Sequence, residues 1–255
     1  MAMQLTRKKH FVLLLLWTLS AGLAALLSLV LTFKGDISVL NNSSLKFLAA
    51  AAFATWVFGR VFDQHSPEFA PSLKVDRAIA AASISGIALA FAAVLIIGIT
   101  LHFVAGHVVV LSPDSTYGLA ALDCFSKAAF EELLFRGALL YFVRRLMPDG
   151  AAIVVVASVF AVGHWGGQRD IWTLFSFLFA GFSYSLMTLR WQNLWPGIFM
   201  HATFNALVLL VSTASAYTPS PQAQLPATGI ASLISSMFLF AIVFAITRSK
   251  PLEKN

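Results

Sequence analysis

Charged residues are scarce in this 255-residue sequence. Only 11% of its positions are Asp, Glu, Lys or Arg, whereas about a quarter is usual in a soluble domain. Hydrophobic residues make up 59% of the chain, and phenylalanine alone occurs 23 times. A soluble domain of this length cannot bury so much apolar surface and still present a charged exterior. The composition therefore excludes a soluble enzyme, a disordered protein and a fibrous protein, and it predicts a helical membrane protein.

Cysteine is almost absent, since Cys124 is the single occurrence. One thiol cannot form an internal disulfide or a cysteine-based metal cluster, and we interpret Cys124 as a small apolar residue. The net charge is +6, but the basic residues lie at the ends of apolar runs, as is typical of membrane proteins. We therefore expect a lipid bilayer around the protein and no nucleic acid as a partner.

Eight apolar runs approach the length of about 20 residues that a helix needs to cross a bilayer. They are 11–33, 45–62, 78–106, 119–143, 151–165, 171–189, 194–216 and 228–247. The first run is longer than the hydrophobic region of a signal peptide. We therefore interpret it as a membrane span like the other seven.

The distribution of Lys and Arg predicts an orientation for these spans. With both termini on one side, twelve of the 17 Lys and Arg residues fall in the segments of that side and three on the opposite side. Short cytoplasmic loops are enriched in Lys and Arg. The sequence therefore predicts an all-α polytopic membrane protein with eight transmembrane helices, N-in and C-in, in which residues 1–255 form a single membrane domain.

Two adjacent glutamates lie in the middle of the fourth run, where burying a charge costs from about 3 to 10 kcal/mol or more. Glu132 and Arg136 are four residues apart, so they share a helix face and can form an ion pair. Glu131 points about 100° away from Glu132 around the helix axis, and we interpret it as left without a local cation. A carboxylate of this kind in a poorly solvated cleft suits a general base.

Three further polar residues lie within predicted spans. His164 comes late in the fifth run, and His201 and Asn205 share one helix face early in the seventh. At 1.5 Å per residue, they and Glu131 lie about 10 to 20 Å from the predicted cytoplasmic ends of their spans. A lone intramembrane histidine often only bonds one helix to another. The combination suits either a hydrolytic site or a proton or ion pathway, and the residues alone leave both open.

These residues form three motifs that resemble those of the CPBP intramembrane proteases, also called the CAAX-protease and bacteriocin-processing, or Abi, family. That family's pattern is Glu-Glu-x-x-x-Arg, then Phe-x-x-x-His, then His-x-x-x-Asn, each on its own membrane helix. The corresponding segments here are Glu131-Glu132-Leu-Leu-Phe-Arg136, Phe160-Ala-Val-Gly-His164 and His201-Ala-Thr-Phe-Asn205. The matching core covers approximately 119–216, and eight helices agree with the family's fold.

The resemblance implies an intramembrane endopeptidase that hydrolyses a peptide bond of a membrane-anchored or lipidated protein or peptide. In such enzymes the first glutamate and the histidine of the second motif activate water, which implies this role for Glu131 and His164. The third motif implies that His201 and Asn205 stabilise the oxyanion, as a preorganised donor pair does well in a dry cavity. No motif indicates the identity of the substrate or its cleavage site.

Metal dependence is an open question, because the family has been described both as metalloproteases and as glutamic proteases. Glu131, His164 and His201 would suffice as the three protein ligands of a catalytic zinc. The sequence lacks, however, the His-Glu-x-x-His helix that indicates zinc more strongly. We therefore favour a glutamic mechanism without a cofactor, in which Glu132 and Arg136 orient Glu131, and we keep zinc as the alternative.

Two other functions remain as alternatives. A membrane transporter or proton-coupled channel would use the intramembrane Glu and His residues as a proton relay, although the internal repeats of many transporters are not evident. A non-catalytic immunity or scaffold protein of the same fold would tolerate the loss of Glu131. For all three functions we expect a multi-pass protein of the cytoplasmic membrane of a bacterium.

Overall fold

The structure is a computed structural model that describes residues 73–105, 117–165, 170–215 and 221–248. All regular elements within these ranges are helical, which confirms the predicted all-α class for this part of the chain. In order they are α1 (Arg77–Ala105), α2 (Tyr117–Glu132), a π-helical segment (Leu133–Leu139), α3 (Leu140–Val143), α4 (Asp149–Trp165), α5 (Ile171–Trp191), α6 (Trp195–Ser215) and α7 (Pro221–Arg248).

Six of the eight apolar runs are helical, and the fourth run is built from α2, the π-helical segment and α3. Runs 11–33 and 45–62 lie outside the described residues. In the part of the chain that the structure describes, three segments are long and apolar enough to cross a membrane: Arg77–Phe103, Ile171–Trp191 and Thr228–Arg248. These helices support an integral membrane protein, whereas the eight-span count, the orientation and the single domain over 1–255 stay predictions.

Close helix packing around α5 and α6 depends on two glycines. α5 packs against α4 on one side and α7 on the other, while α6 packs against α1 and α2. A Cβ on Gly181 of α5 would lie 3.1 Å from the Cβ of Ala157 on α4, and a Cβ on Gly86 of α1 would lie 2.8 Å from the carbonyl oxygen of Pro196. Small residues allow membrane helices to approach in this way, and here they bring α5 against α4 and α1 against α6.

Polar contacts join the turns at one end of the bundle. Asn193 Nδ2 donates to the carbonyl oxygen of Lys74 at 2.8 Å, and Trp195 Nε1 donates to that of Leu73 at 2.8 Å. Gln192 ends α5 with φ 47° and ψ 36°, in the left-handed region. We call this end the basic end, because it carries several residues that the positive-inside pattern assigns to the cytoplasm: Lys74, Arg77, Arg144, Arg145 and Arg190.

Candidate active site

The helix that carries the two glutamates changes its geometry directly after them. α2 ends at Glu132, and π-helical geometry continues to Leu139, where α3 takes over. Wider π-helical turns are rare and occur frequently at functional sites. The π-helical segment contains the buried Arg136, so the irregular stretch of backbone holds the cation of the first motif.

Glu132 and Arg136 form the ion pair that their four-residue spacing predicts. The distance from Arg136 Nη1 to Glu132 Oε1 is 3.1 Å, and both side chains are 0% exposed. Arg136 also donates from Nη2 to the carbonyl oxygen of Gly181 at 3.1 Å and from Nε to Ser185 Oγ at 3.4 Å. Because a buried charge is tolerated only when it is paired and hydrogen-bonded, these bonds account for a buried guanidinium.

Three aromatic rings complete the surroundings of Arg136, those of Phe135, Phe160 and Tyr184. Its guanidinium carbon lies 4.5 Å from the ring centre of Phe160 and 5.2 Å from that of Tyr184. A guanidinium over an aromatic face is stabilised electrostatically, and the effect grows when water is excluded. Arg136 therefore ties α4 and α5 to the helix of the two glutamates.

His201 connects the buried ion pair to α6. Its Nδ1 lies 2.9 Å from Glu132 Oε1, and its side chain is only 5% exposed. The imidazole stacks on the Tyr184 ring, with 4.6 Å between ring centres and 15° between planes. Glu132 is ionised in its pair with Arg136 and can only accept, so His201 Nδ1 donates and Nε2 points away from Glu132.

Glu131 contacts histidines of two other helices. Its Oε2 lies 3.2 Å from His164 Nε2 and 3.7 Å from His201 Nε2. Lys127, four residues before Glu131 on α2, pairs with Asp123 instead, and the partners of Glu131 come from α4 and α6. The side chains of Glu131 and His164 are 23% and 26% exposed, in contrast to the enclosed Glu132, so these two remain accessible.

The His164 ring is held in a fixed orientation. Its Nδ1 lies 2.8 Å from the carbonyl oxygen of Phe160, and because a carbonyl only accepts, Nδ1 donates. Phe160 and Phe177 lie against the ring, at 4.2 and 4.9 Å between ring centres. Nε2 is therefore the nitrogen that faces Glu131.

The three residues named as possible zinc ligands converge on a single carboxylate oxygen, Glu131 Oε2. Among the described residues, no group of three or more His, Cys, Asp or Glu side chains is arranged so that it could hold a metal ion as it stands. The chemistry derived below therefore uses the side chains themselves, with zinc kept as the alternative.

Asn205 lies one helical turn after His201 on α6 and is half-buried. Within the described ranges, no hydrogen bond or ion pair links its side chain to the two glutamates or the two histidines. Contacts within the described ranges thus join five of the six residues selected from the sequence. Asn205 is the residue that they do not join to the others.

The principal residues that sequence reasoning missed belong to α5. They are Phe177, Gly181, Tyr184 and Ser185, which contact His164, Arg136 or His201. One signal was available, because residues 181–185 (Gly-Phe-Ser-Tyr-Ser) place small and hydroxyl-bearing residues inside an apolar run. Such residues indicate a helix face that packs against other helices and bonds to their polar groups.

Residues 113–207 match the protein-family model described as Type II CAAX prenyl endopeptidase Rce1-like. The matched segment contains all three motifs and confirms their resemblance to the CPBP and CAAX-protease family. A comparison with curated proteins gives no match. The family match and the apolar helices together support an intramembrane protease, that is, a hydrolase integral to the membrane.

Proposed function

We propose that this protein hydrolyses a peptide bond of a membrane-anchored or lipidated protein or peptide, with Glu131 and His164 as the residues that activate water. The observation that carries the proposal is the 3.2 Å approach of Glu131 Oε2 to His164 Nε2, at a point where both side chains are partly exposed. The exposed parts of the two side chains give a water molecule and a substrate carbonyl an approach to this pair, while Glu131 Oε2 itself is buried against the histidines. The attacking water and the carbonyl cannot reach Glu132, which is enclosed with Arg136.

The contact leaves Glu131 able to accept a proton. Although its Oε2 lies 3.2 Å from His164 Nε2, this oxygen has no aligned hydrogen bond within the described residues. A general base needs such a free acceptor within reach of the proton that it removes. Because His164 Nδ1 donates to the Phe160 carbonyl, the proton that His164 gives to the substrate must come from Nε2 of the imidazolium form.

The reaction then follows in two steps. Glu131 accepts a proton from water while the water oxygen bonds to the scissile carbonyl carbon, and a negative charge develops on the carbonyl oxygen. His164 passes a proton to the amide nitrogen as the carbon–nitrogen bond breaks. His201 and Asn205 stabilise the oxyanion by donating hydrogen bonds to it. Donation from His201 Nε2 requires the imidazolium form, because Nδ1 already donates to Glu132.

Glu132 and Arg136 position these groups without touching the substrate. Glu132 accepts from His201 Nδ1 at 2.9 Å and so holds the ring that faces Glu131. We propose that the reaction needs no cofactor, with a zinc ion on Glu131, His164 and His201 as the alternative. We further propose eight spans, N-in and C-in, in the cytoplasmic membrane of a bacterium, with the catalytic core at approximately 119–216.

Cleavage of a panel of membrane-anchored peptides by the purified protein tests the proposal. We expect Glu131→Gln and His164→Ala each to lower the cleavage rate by about 10²- to 10⁴-fold, the usual contribution of a general acid or base. Asp123→Asn is the matched control, because Asp123 is on the same helix and its carboxylate pairs with Lys127 instead. Full activity of Glu131→Gln would refute the mechanism. Altered proton or solute flux without any cleavage would favour the transporter.

A further inference from the structure

Two buried oxygens beside the site have no hydrogen-bond partner within the described residues. They are Glu132 Oε2 and Thr188 Oγ1, on side chains whose residues are 0% and 2% exposed. Glu131 Oε2 also has no aligned hydrogen bond, but it contacts His164 and His201. No ion pair or hydrogen bond within the described residues engages Glu132 Oε2 or Thr188 Oγ1. Because an unsatisfied buried polar group is unfavourable, each such atom in a native structure needs an explanation.

The Thr188 hydroxyl is unusual among the hydroxyls of these helices. Five serines donate to the carbonyl oxygen four residues earlier in their own helix: Ser83, Ser85, Ser126, Ser183 and Ser185. This local bond is the ordinary way for a helical hydroxyl to be satisfied. Thr188 on α5 does not make it, so its hydroxyl is left for another partner.

Both oxygens face the same small space beside Gly197 of α6. A Cβ built on Gly197 would lie 3.4 Å from Glu132 Oε2 and 3.6 Å from Thr188 Oγ1. The two oxygens do not form a hydrogen bond with each other. Water molecules occupy buried sites of this kind, where several polar groups converge and no side chain fills the space.

Thr188 also borders a small cavity that leads toward the basic end. Seven residues line it, and they include Arg136, Arg144 and Gln192 besides Thr188. Arg136 belongs to the buried ion pair, whereas Gln192 lies in the turn between α5 and α6. The cavity therefore extends from Arg136 and Thr188 toward the basic end of the bundle.

We propose that Glu132 Oε2 and Thr188 Oγ1 bind one ordered water molecule beside Gly197, and that this water links the Glu132–His201 pair to the cavity. Thr188 is then a positioning residue, which acts through Glu132 on the His201 ring. The inference rests on the proposed function for its catalytic meaning. The water site itself is testable without any cleavage.

Gly197→Ala is the first test, with the thermal unfolding midpoint of the detergent-solubilised full chain as readout. The new methyl group would make only ordinary contacts of 3.4 to 3.9 Å, and alanine favours a helix over glycine. Without a water, the substitution therefore raises the midpoint, as does the control Gly150→Ala, whose Cβ meets nothing within 4 Å. If the methyl group displaces a bound water, the midpoint falls, by about 2 to 4 °C for a chain of this size.

Thr188→Val is a second, independent test, in which the direction of the midpoint shift is the readout. If the hydroxyl has no partner, removing it leaves the midpoint unchanged or raises it, because an unsatisfied group is lost. If the hydroxyl binds the water, the midpoint falls by about 2 to 4 °C, and Thr188→Ser retains the wild-type value. Because both substitutions remove the same water, the double variant falls no further than either single one. The proposal would be overturned if the midpoints of the single variants rise. It would also be overturned if the decrease in the double variant equals the sum of the two single decreases.

A kinetic readout separates positioning from stability. In an active enzyme, Gly197→Ala and Thr188→Val lower kcat and shift its pH profile with little change in KM, and Thr188→Ser restores the profile. An unchanged profile in both variants would refute the link to His201. If the wild-type protein cleaves nothing, the proposed function fails while the thermal results still decide whether the water site exists.

Discussion

The same substitution at two adjacent glutamates should produce opposite defects. Glu131→Gln and Glu132→Gln each replace a carboxylate by an amide of nearly equal size. Glu131 is 23% exposed and contacts two histidines at 3.2 and 3.7 Å. Glu132 is fully buried and accepts from Arg136 and His201 at 3.1 and 2.9 Å. We expect the first variant to lose cleavage with little loss of stability, and the second to lose stability.

The magnitudes follow from the burial of the partner that each variant leaves behind. Glu132→Gln leaves the Arg136 guanidinium, which is 0% exposed, without a counter-charge, and breaking a buried ion pair in this way costs about 3 to 5 kcal/mol. At about 2 to 4 °C per kcal/mol, the unfolding midpoint falls by about 6 to 20 °C. Glu131→Gln loses only partly exposed contacts, worth about 0 to 1 kcal/mol, so its midpoint moves by less than about 4 °C.

The assay combines thermal unfolding in detergent with peptide cleavage, measured well below both midpoints so that unfolded protein does not imitate a catalytic defect. Glu131→Gln should retain the fold and lose about 10²- to 10⁴-fold in cleavage rate. Equal midpoints for the two variants would refute the assignment of Glu132 to the structural ion pair. A larger fall for Glu131→Gln would reverse the roles of the two glutamates.

Four further outcomes are expected. Gly181→Ala should lower the free energy of unfolding by about 1 to 3 kcal/mol, measured by thermal unfolding, because its Cβ would meet Ala157 at 3.0 to 3.1 Å. His201→Phe should retain the stack on Tyr184 but lower both the midpoint and the cleavage rate, because the bond to Glu132 is lost. A strong zinc chelator should leave cleavage unchanged; inhibition that added zinc reverses would establish a metalloprotease. In a Cys124→Ser background, Leu146→Cys should react with an impermeant thiol reagent only from the cytoplasmic side, and labelling from outside would contradict the N-in orientation.

Much of the helical framework could be predicted from the length and position of the apolar runs alone. Runs such as 171–189 and 228–247 are apolar over the length of a span, and the described chain is helical there, as Ile171–Trp191 and within Pro221–Arg248. The Glu132–Arg136 pair could also be predicted, because a four-residue spacing on one helix determines the contact. In both cases the information is local in the sequence, so no knowledge of the tertiary packing was needed.

Long-range contacts could not be predicted in the same way. His201 lies 69 residues from Glu132, yet it donates to that carboxylate and stacks on Tyr184. Such contacts depend on how α2, α5 and α6 pack, which periodicity does not encode. The π-helical segment was missed for a related reason, since the pattern of apolar residues in 119–143 is compatible with an ordinary α-helix. The three motifs indicated that polar groups meet, but not which atoms face each other.

Because Glu131 and Glu132 are adjacent in the sequence, one helix supplies both an enclosed carboxylate in an ion pair and a partly exposed carboxylate. Consecutive residues point about 100° apart, so Glu132 turns into the core toward Arg136 while Glu131 turns toward His164 and remains accessible. His201 contacts both, through Nδ1 to Glu132 and Nε2 toward Glu131. The buried ion pair therefore does more than satisfy two charges, because it fixes the ring that faces the exposed carboxylate. Any substitution that loosens the Glu132–Arg136 pair should disturb the geometry around Glu131 even when Glu131 itself is intact.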